Sequence, residues 1–217
     1  ARLKGISNKE AYLELVRETK VYPLPQVPTP QMKERQPVSL EQRHAAYTDM
    51  LEHLTLLDRH GENLLGRGLS EDRIRENGYR SMPETERGRQ LLTDLLRSHG
   101  HDLHGVPGFR TYYGEWTLSG PSGFLIPVRN KDGLIQGLKI RLDEADHPNR
   151  KYRWLSSRSL PNGTRSYSWV HVVGDRSRKR AFLTEGPLKG DVASFLAKNA
   201  LFICIGGVNA LHGLTDT

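Results

Sequence analysis

The segment 181-AFLTEGPLKGDVASFLAKNALFICIGG-207 constrains this chain more than any other. Two short apolar runs, AFLTE and ALFICI, flank a stretch with helical character. Strands buried on both faces read as continuous apolar runs, and a helix between them returns the chain so that they pair in parallel. The first run is therefore expected to be a buried strand. Glu185 is the lone carboxylate at its carboxyl end, followed at once by Gly186 and Pro187. Glycine allows a sharp turn there, and proline suits the first turn of a helix. In open parallel sheets, ligands gather beyond the carboxyl ends of the strands. A carboxylate at that place can hold Mg²⁺ or move a proton in phosphoryl chemistry. The position suits a helix cap equally well.

Upstream of this unit the texture changes twice. NKEAYLELVRETK (8–20) has helical spacing, and prolines 23, 25, 28, 30 and 37 then impose an extended linker. Ser39, with Gln42 three residues on, opens a helix expected over 39–61, where Ala46, Met50, Leu54 and Leu57 recur on one face. Ser70 caps a short helix that ends at Asn77-Gly78, and a further helix is expected from Glu84 to Ser98, stopped by Gly100. After Gly105 come short β-rich runs separated by glycine turns: FRTYYGEWTL, GFLIPVRN, LIQGLKIRLD, KYRWLSS and WVHVVG. Asp132-Gly133 marks a hairpin between two of them. The reading is an α+β fold: a helical segment, a β-meander, then the start of an α/β unit with a parallel sheet. The expected divisions are 1–38 (helix and proline-rich linker), 39–175 (helical and β-hairpin subdomain) and 176–217 (strand–helix–strand unit).

Charge narrows the function. Lys and Arg number 32 against 25 Asp and Glu, a formal net charge of +7, which favours an acidic partner such as nucleic acid. A single cysteine, Cys204, excludes a disulfide within the chain and reads as a core residue. With no apolar run long enough to span a bilayer and no apolar N-terminal signal, a cytoplasmic setting is expected. In Arg150-Lys151-Tyr152-Arg153-Trp154 cations alternate with aromatics, the pairing that tracks phosphates and stacks single-stranded bases. Strand alternation places Lys151 and Arg153 on one face and Tyr152 and Trp154 on the other. HGHDLHG brings His99, His101 and His104 close in sequence, a weak metal signal without a partner carboxylate. DRSRKR (175–180) has the look of a phosphate-binding patch, though such a run is more often a solvated turn between strands.

The ordered series of motifs resembles the catalytic core of DnaG-type bacterial primases, and its texture is similar to primase-like proteins of phages and integrative mobile elements. LLGRGLSEDRIRENGY (64–79) resembles the family's Arg-Gly-Ile/Leu-Ser helix pair. GFLIPVRNKDGLIQGLKIRL (123–142) resembles its hairpin, and KYRWLSS (151–157) its Lys-Tyr-x-Asn-Ser run. TEGPLKGDVASFL resembles the opening of the Toprim domain, and ICIGGVNA its second strand and turn.

The resemblance implies a nucleotidyltransferase that binds single-stranded DNA and synthesises RNA primers from nucleoside triphosphates, partnered with a replicative helicase. It makes Glu185 the catalytic and metal-binding glutamate. Arg67, Lys139, Arg141, Arg150, Lys151, Tyr152, Arg153 and Lys189 would line the groove for template and nucleotide, and Gly206 and Gly207 would form the turn after the second Toprim strand. Two departures stand out. The family carries Asp four residues after its glutamate; here that position is Lys189, and Asp191 lies two further on as a substitute candidate. The Asp-x-Asp pair expected on a third strand does not occur before Thr217, so Mg²⁺ or Mn²⁺ is expected only with downstream aspartates, and this segment is expected to be inactive alone. One cysteine also cannot build the family's zinc ribbon. Two alternatives stay open: a non-catalytic nucleic-acid-binding module with a degenerate Toprim domain, and a Toprim nuclease.

Overall fold

The computed structural model describes residues 35–145, 147 and 150–206. The fold is α+β. The helix expected over 8–20 and most of the proline run lie outside the described residues. No helix among the described residues is long and apolar enough to cross a membrane.

Helix α1 (Leu40–Glu52) starts at the expected capping box: Ser39 Oγ accepts from the Gln42 N–H, and Gln42 Oε1 accepts from the Ser39 N–H, both at 3.3 Å. The helix expected over 39–61 does not run through. It stops at His53 and resumes as α2 (Asp58–Leu65). Hydrogen bonds to Ser81 accompany the break. Thr55 O accepts from Ser81 N at 2.8 Å, and Ser81 Oγ accepts from Leu57 N at 2.9 Å. The stretch is thus tied to the short strand β1 (Arg80–Ser81). Helix α3 (Glu71–Asn77) is capped by Ser70 and closed by Gly78 at φ 79°. Helix α4 (Glu86–Ser98) starts two residues later than expected because Thr85 supplies the cap, accepting from Gly88 N at 3.1 Å.

Strands β2 (Phe109–Tyr112) and β3 (Glu115–Leu118) form a hairpin. Strands β4 (Gly123–Arg129), β5 (Ile135–Leu142) and β6 (Tyr152–Trp154) join β1 in an antiparallel sheet of order β1-β4-β5-β6. The β4–β5 turn is the Asp132-Gly133 turn, with Gly133 at φ 87° and Asn130 Oδ1 accepting from the backbone of Asp132 and Leu134. This sheet is buried on both sides, which is why GFLIPV reads as an unbroken apolar run. On one face Leu125, Leu138 and Ile140 pack with Tyr47, Met50, Leu92 and Leu96 of α1 and α4. On the other, Phe124 and Ile126 pack with Leu64, Ile74, Tyr79 and Leu188. Each such side chain contributes about 1.5–3 kcal/mol of transfer free energy.

The remaining elements are β7 (His171–Val173), β8 (Ala181–Glu185), α5 (Pro187–Leu196) and β9 (Leu201–Ile205). β8 and β9 pair in parallel, from Ala181↔Leu201 to Glu185↔Ile205, as the strand–helix–strand pattern predicts. The sheet as a whole is mixed. WVHVVG, expected to close the β-meander, supplies β7, which pairs antiparallel with β9 in the order β7-β9-β8. The expectation that AFLTE is buried is also corrected: β8 is an edge strand, with Phe182 56% and Leu183 60% exposed. Helix α5 lies so close to this sheet that a Cβ on Gly190 would meet Cys204 Sγ at 2.0 Å. Cys204 is buried there, and burial pushes its thiol pKa far up, as befits an inert core residue.

Candidate functional site

Glu185 ends β8, and the Gly186 N–H donates to Ile205 O at 2.8 Å, closing the parallel pair at its carboxyl edge. Gly186 then takes φ 82°, ψ 137°, a backbone conformation that side chains disfavour, and Pro187 enters the first turn of α5. The helix-cap reading of Glu185 does not survive. The N-cap is Gly186, no side chain caps α5, and its first turn holds no acidic residue. The Glu185 carboxylate is instead half exposed and lies 3.6 Å from Lys189 Nζ, one helical turn on. Solvent screening makes so exposed a pair a weak fastening, free to exchange for a ligand.

The facing wall comes from the antiparallel sheet. Register aligns Phe124, Arg141 and Tyr152 across β4, β5 and β6, and Ile126, Lys139 and Trp154 one pleat on. Lys139, Arg141, Tyr152 and Trp154 therefore share one face. Arg153 pairs with Ile140 on the opposite face, as alternation predicts. Lys139 is buried. Its Nζ donates to Gly206 O at 3.3 Å and lies 5.0 Å from the centre of the Trp154 ring. Burial lowers its ammonium pKa, opposed by the charge of Glu185. Arg141 Nη1 donates to Leu142 O at 3.2 Å and its guanidinium sits 5.9 Å from the Phe124 ring, while its buried Nε has no hydrogen-bond partner among the described residues.

A cleft of about 170 Å³ results, lined by Lys139, Tyr152, Glu185, Lys189 and the backbone of Gly186 and Gly206. Five of the residues singled out in the sequence thus meet at one place. Two amines and an aromatic ring around one carboxylate suit a phosphorylated, base-bearing ligand. As a metal site the cleft is incomplete: among the described residues it offers a single carboxylate, and a two-ion site needs several. A larger groove of about 620 Å³ lies by α2 and α3, but Asp58, Glu62 and Glu71 line it together with Arg75 and Arg80, a poor match to a polyanion.

The other expected site residues lie outside the cleft. Asp191 is turned into the interior. Its Oδ2 accepts from the Tyr79 hydroxyl at 2.5 Å, and its Oδ1 accepts from His171 Nε2 at 2.9 Å. His171 Nδ1 accepts from the Arg129 N–H at 2.9 Å, which assigns the ring proton to Nε2 and needs no charge on the imidazole. Burial, and then Asp191, push the Tyr79 hydroxyl pKa well above its usual value. Burial pulls Arg129 down, with Asp191 opposing. Arg67 donates from Nε to Asn63 Oδ1 at 3.0 Å, and its charge acts on Tyr79. Arg150 and Lys151 are exposed just before β6. Gly207 lies outside the described residues. Sequence reasoning missed Tyr79, Arg129 and His171; for His171 the polar position within the otherwise apolar run WVHVVG was the available signal.

No family model and no curated protein matches this chain. Solved structures do. The RNA polymerase domain of Mycobacterium tuberculosis primase DnaG, solved with a double-stranded DNA oligomer carrying a 6-nucleotide overhang, is similar at TM-score 0.62 and 18% identity, over 82% of this chain and 58% of its own. The zinc-binding and RNA polymerase domains of Aquifex aeolicus primase are similar at TM-score 0.60 and 16% identity, over 99% and 53%. A DNA primase domain from Pseudomonas aeruginosa is similar at TM-score 0.53 and 16% identity, over 82% and 57%. The chain therefore shares the fold of DnaG primase catalytic domains, and it spans between half and two thirds of the length of these structures.

Proposed function

We propose that this chain is a primase-like core that binds single-stranded DNA and contributes the Glu185 cleft to RNA primer synthesis from nucleoside triphosphates. The observation that carries the proposal is the meeting of Glu185 with Lys139 and Tyr152 across one cleft, in a fold shared with primase catalytic domains. In this reading residues 39–175 form the template and nucleotide subdomain and residues 176–217 the first part of a Toprim domain, with 1–38 as the joining helix and linker. The exposed apolar side chains of Phe182, Leu183 and Leu196 fit a sheet that packs against further Toprim elements. Glu185 is the carboxylate that would help hold Mg²⁺ or Mn²⁺, ions that supply charge neutralisation at the reacting phosphates. Lys139 and Lys189 would bind phosphate oxygens, Arg141 the template backbone, and Tyr152 would stack on a base. Asp191 enters as a buried group that positions α5, and with it Glu185. The resemblance to DnaG-type primases makes a replicative helicase the proposed partner, and the cytoplasm of a host carrying a phage or mobile element is the proposed setting.

A second reading has its own support. Lys189 stands where the primase family carries Asp, and among the described residues the cleft holds one carboxylate. A nucleic-acid-binding module without catalysis would look the same.

Both readings require a cationic face. Single-stranded DNA affinity of this chain is expected to fall steeply between about 50 and 200 mM salt, with each lost phosphate contact lowering the slope of log affinity on log salt by roughly 0.7–1. Arg141→Ala and Lys189→Ala should each weaken binding, whereas Arg153→Ala, on the opposite face, should leave the slope nearly unchanged. Fluorescence anisotropy across a salt series reads this directly. Unchanged affinity in both of the first two variants removes the groove from the account.

A further inference from the structure

A second cluster of chemistry-bearing side chains lies away from the cleft, where the ends of α1 and α4 meet. Asp49 and His53 stand one turn apart at the end of α1, His53 being its C-cap residue. His99 is the C-cap residue of α4, and His101 follows two residues later. Asp49 Oδ1 lies 3.2 Å from His53 Nε2. Asp49 Oδ2 lies 2.8 Å from His99 Nδ1 and 2.9 Å from His101 Nε2. Ligand atoms of Asp49, His53 and His99 all fall within 4.8 Å of one another. His104, the third histidine of the same loop, is not part of this group; it bonds Asp102 instead, at 2.7 Å.

We propose that Asp49, His53 and His99 form a binding site for a divalent transition-metal ion of the Zn²⁺ class, with His101 orienting the Asp49 carboxylate. Four observations converge on it. Imidazole and carboxylate are the donors that borderline divalent ions take, and three protein ligands leave the fourth position for water. Donors around a tetrahedral ion with bonds of about 2.0–2.1 Å sit roughly 3.3–3.4 Å apart; each ring already lies 2.8–3.2 Å from the carboxylate, and the three donor atoms all fall within 4.8 Å of one another, so side-chain rotation can close them on an ion. The C-terminal ends of two 13-residue helices converge here, and α1 carries no basic residue in its last turn. Their partial negative charge favours a cation. Finally, the His53 and His99 side chains are 40% and 41% exposed, which leaves the ion a path from solvent, while Asp49 at 16% is shielded enough to hold it. His101 fills the outer role that metal sites require, donating to the liganding carboxylate. An ion bound there bridges α1 to α4, which otherwise meet through apolar packing and the Asp49 hydrogen bonds.

The test is a Zn²⁺ titration of the metal-stripped chain, followed by calorimetry and by thermal melting. One equivalent should bind, and Zn²⁺ at about 100 times its dissociation constant should raise the melting temperature by roughly 5–10 °C. His53→Asn and His99→Asn should each weaken that binding by about 10-fold or more, His101→Asn should weaken it in the manner of an outer-shell loss, and His104→Asn should leave it intact. Absence of stoichiometric binding and of a melting shift in the unaltered chain overturns the proposal without any variant. Binding that persists unchanged in both His53→Asn and His99→Asn overturns it too, by placing the ion on other histidines.

Discussion

Glu185→Gln in the complete gene product is expected to lose about 10²-fold or more of its primer synthesis while melting at nearly the unaltered temperature. The substitution keeps the size of the side chain and removes its charge. Activity should fall because the carboxylate is the acidic group that the cleft offers to a metal or a reacting proton. Stability should hold because the side chain is half exposed and its ion pair with Lys189 is exposed. A helix cap would show the inverse pattern, a loss of about 0.5–2 kcal/mol with activity kept, and α5 has no side-chain cap to lose. Melting and primer synthesis measured on one preparation separate the two patterns. Near-normal activity in a folded Glu185→Gln variant contradicts the catalytic assignment.

Asp191→Ala is expected to produce the opposite separation. Asp191 and His171 are 4% and 3% exposed, and the carboxylate accepts from both Tyr79 and His171. Removing it leaves two buried donors without an acceptor and a void beneath α5. At roughly 1–3 kcal/mol for each stranded donor, the loss should reach about 3–5 kcal/mol. Asp191→Asn is the milder and more diagnostic variant. An amide can accept from Tyr79 or from His171, but not from both. His171 cannot switch tautomer to help, because its Nδ1 already accepts from the Arg129 N–H. A loss of about 1–3 kcal/mol by denaturant unfolding is expected. If Asp191 were a solvent-facing metal ligand, neither variant would lower stability appreciably.

What the sequence made legible follows the range over which each signal acts. The β8–α5–β9 unit is readable because its apolar runs, Gly186 and Pro187 are contiguous, and the parallel pair is observed. The Ser39 and Ser70 caps and the Asp132-Gly133 turn are equally local, and all three form. The contacts that accompany the helix break at His53 are not local, since Ser81 lies 24 residues past Leu57. The edge exposure of β8 was missed for a similar reason: an apolar run does not say how many neighbours its strand will have. In the cleft, the motif order pointed to Glu185, Lys139, Tyr152, Lys189 and Gly206 together. It also put forward Asp191, because distance along the chain cannot say which way a helical side chain turns. Its partners, Tyr79 and His171, lie 112 and 20 residues away and carry no shared pattern. Asp49 likewise stands 50 residues before His99, so the histidine loop read in isolation lacked its carboxylate.

The central claim, a primase-like core whose Glu185 cleft serves nucleotidyl transfer, is tested most directly by primer synthesis. The complete gene product is incubated with a single-stranded DNA template and ribonucleoside triphosphates, with Mg²⁺ or with a chelator. The account predicts short RNA products that require both template and divalent ion. A folded protein that binds single-stranded DNA with steep salt dependence, yet makes no RNA with either Mg²⁺ or Mn²⁺, contradicts it and establishes the binding module in its place.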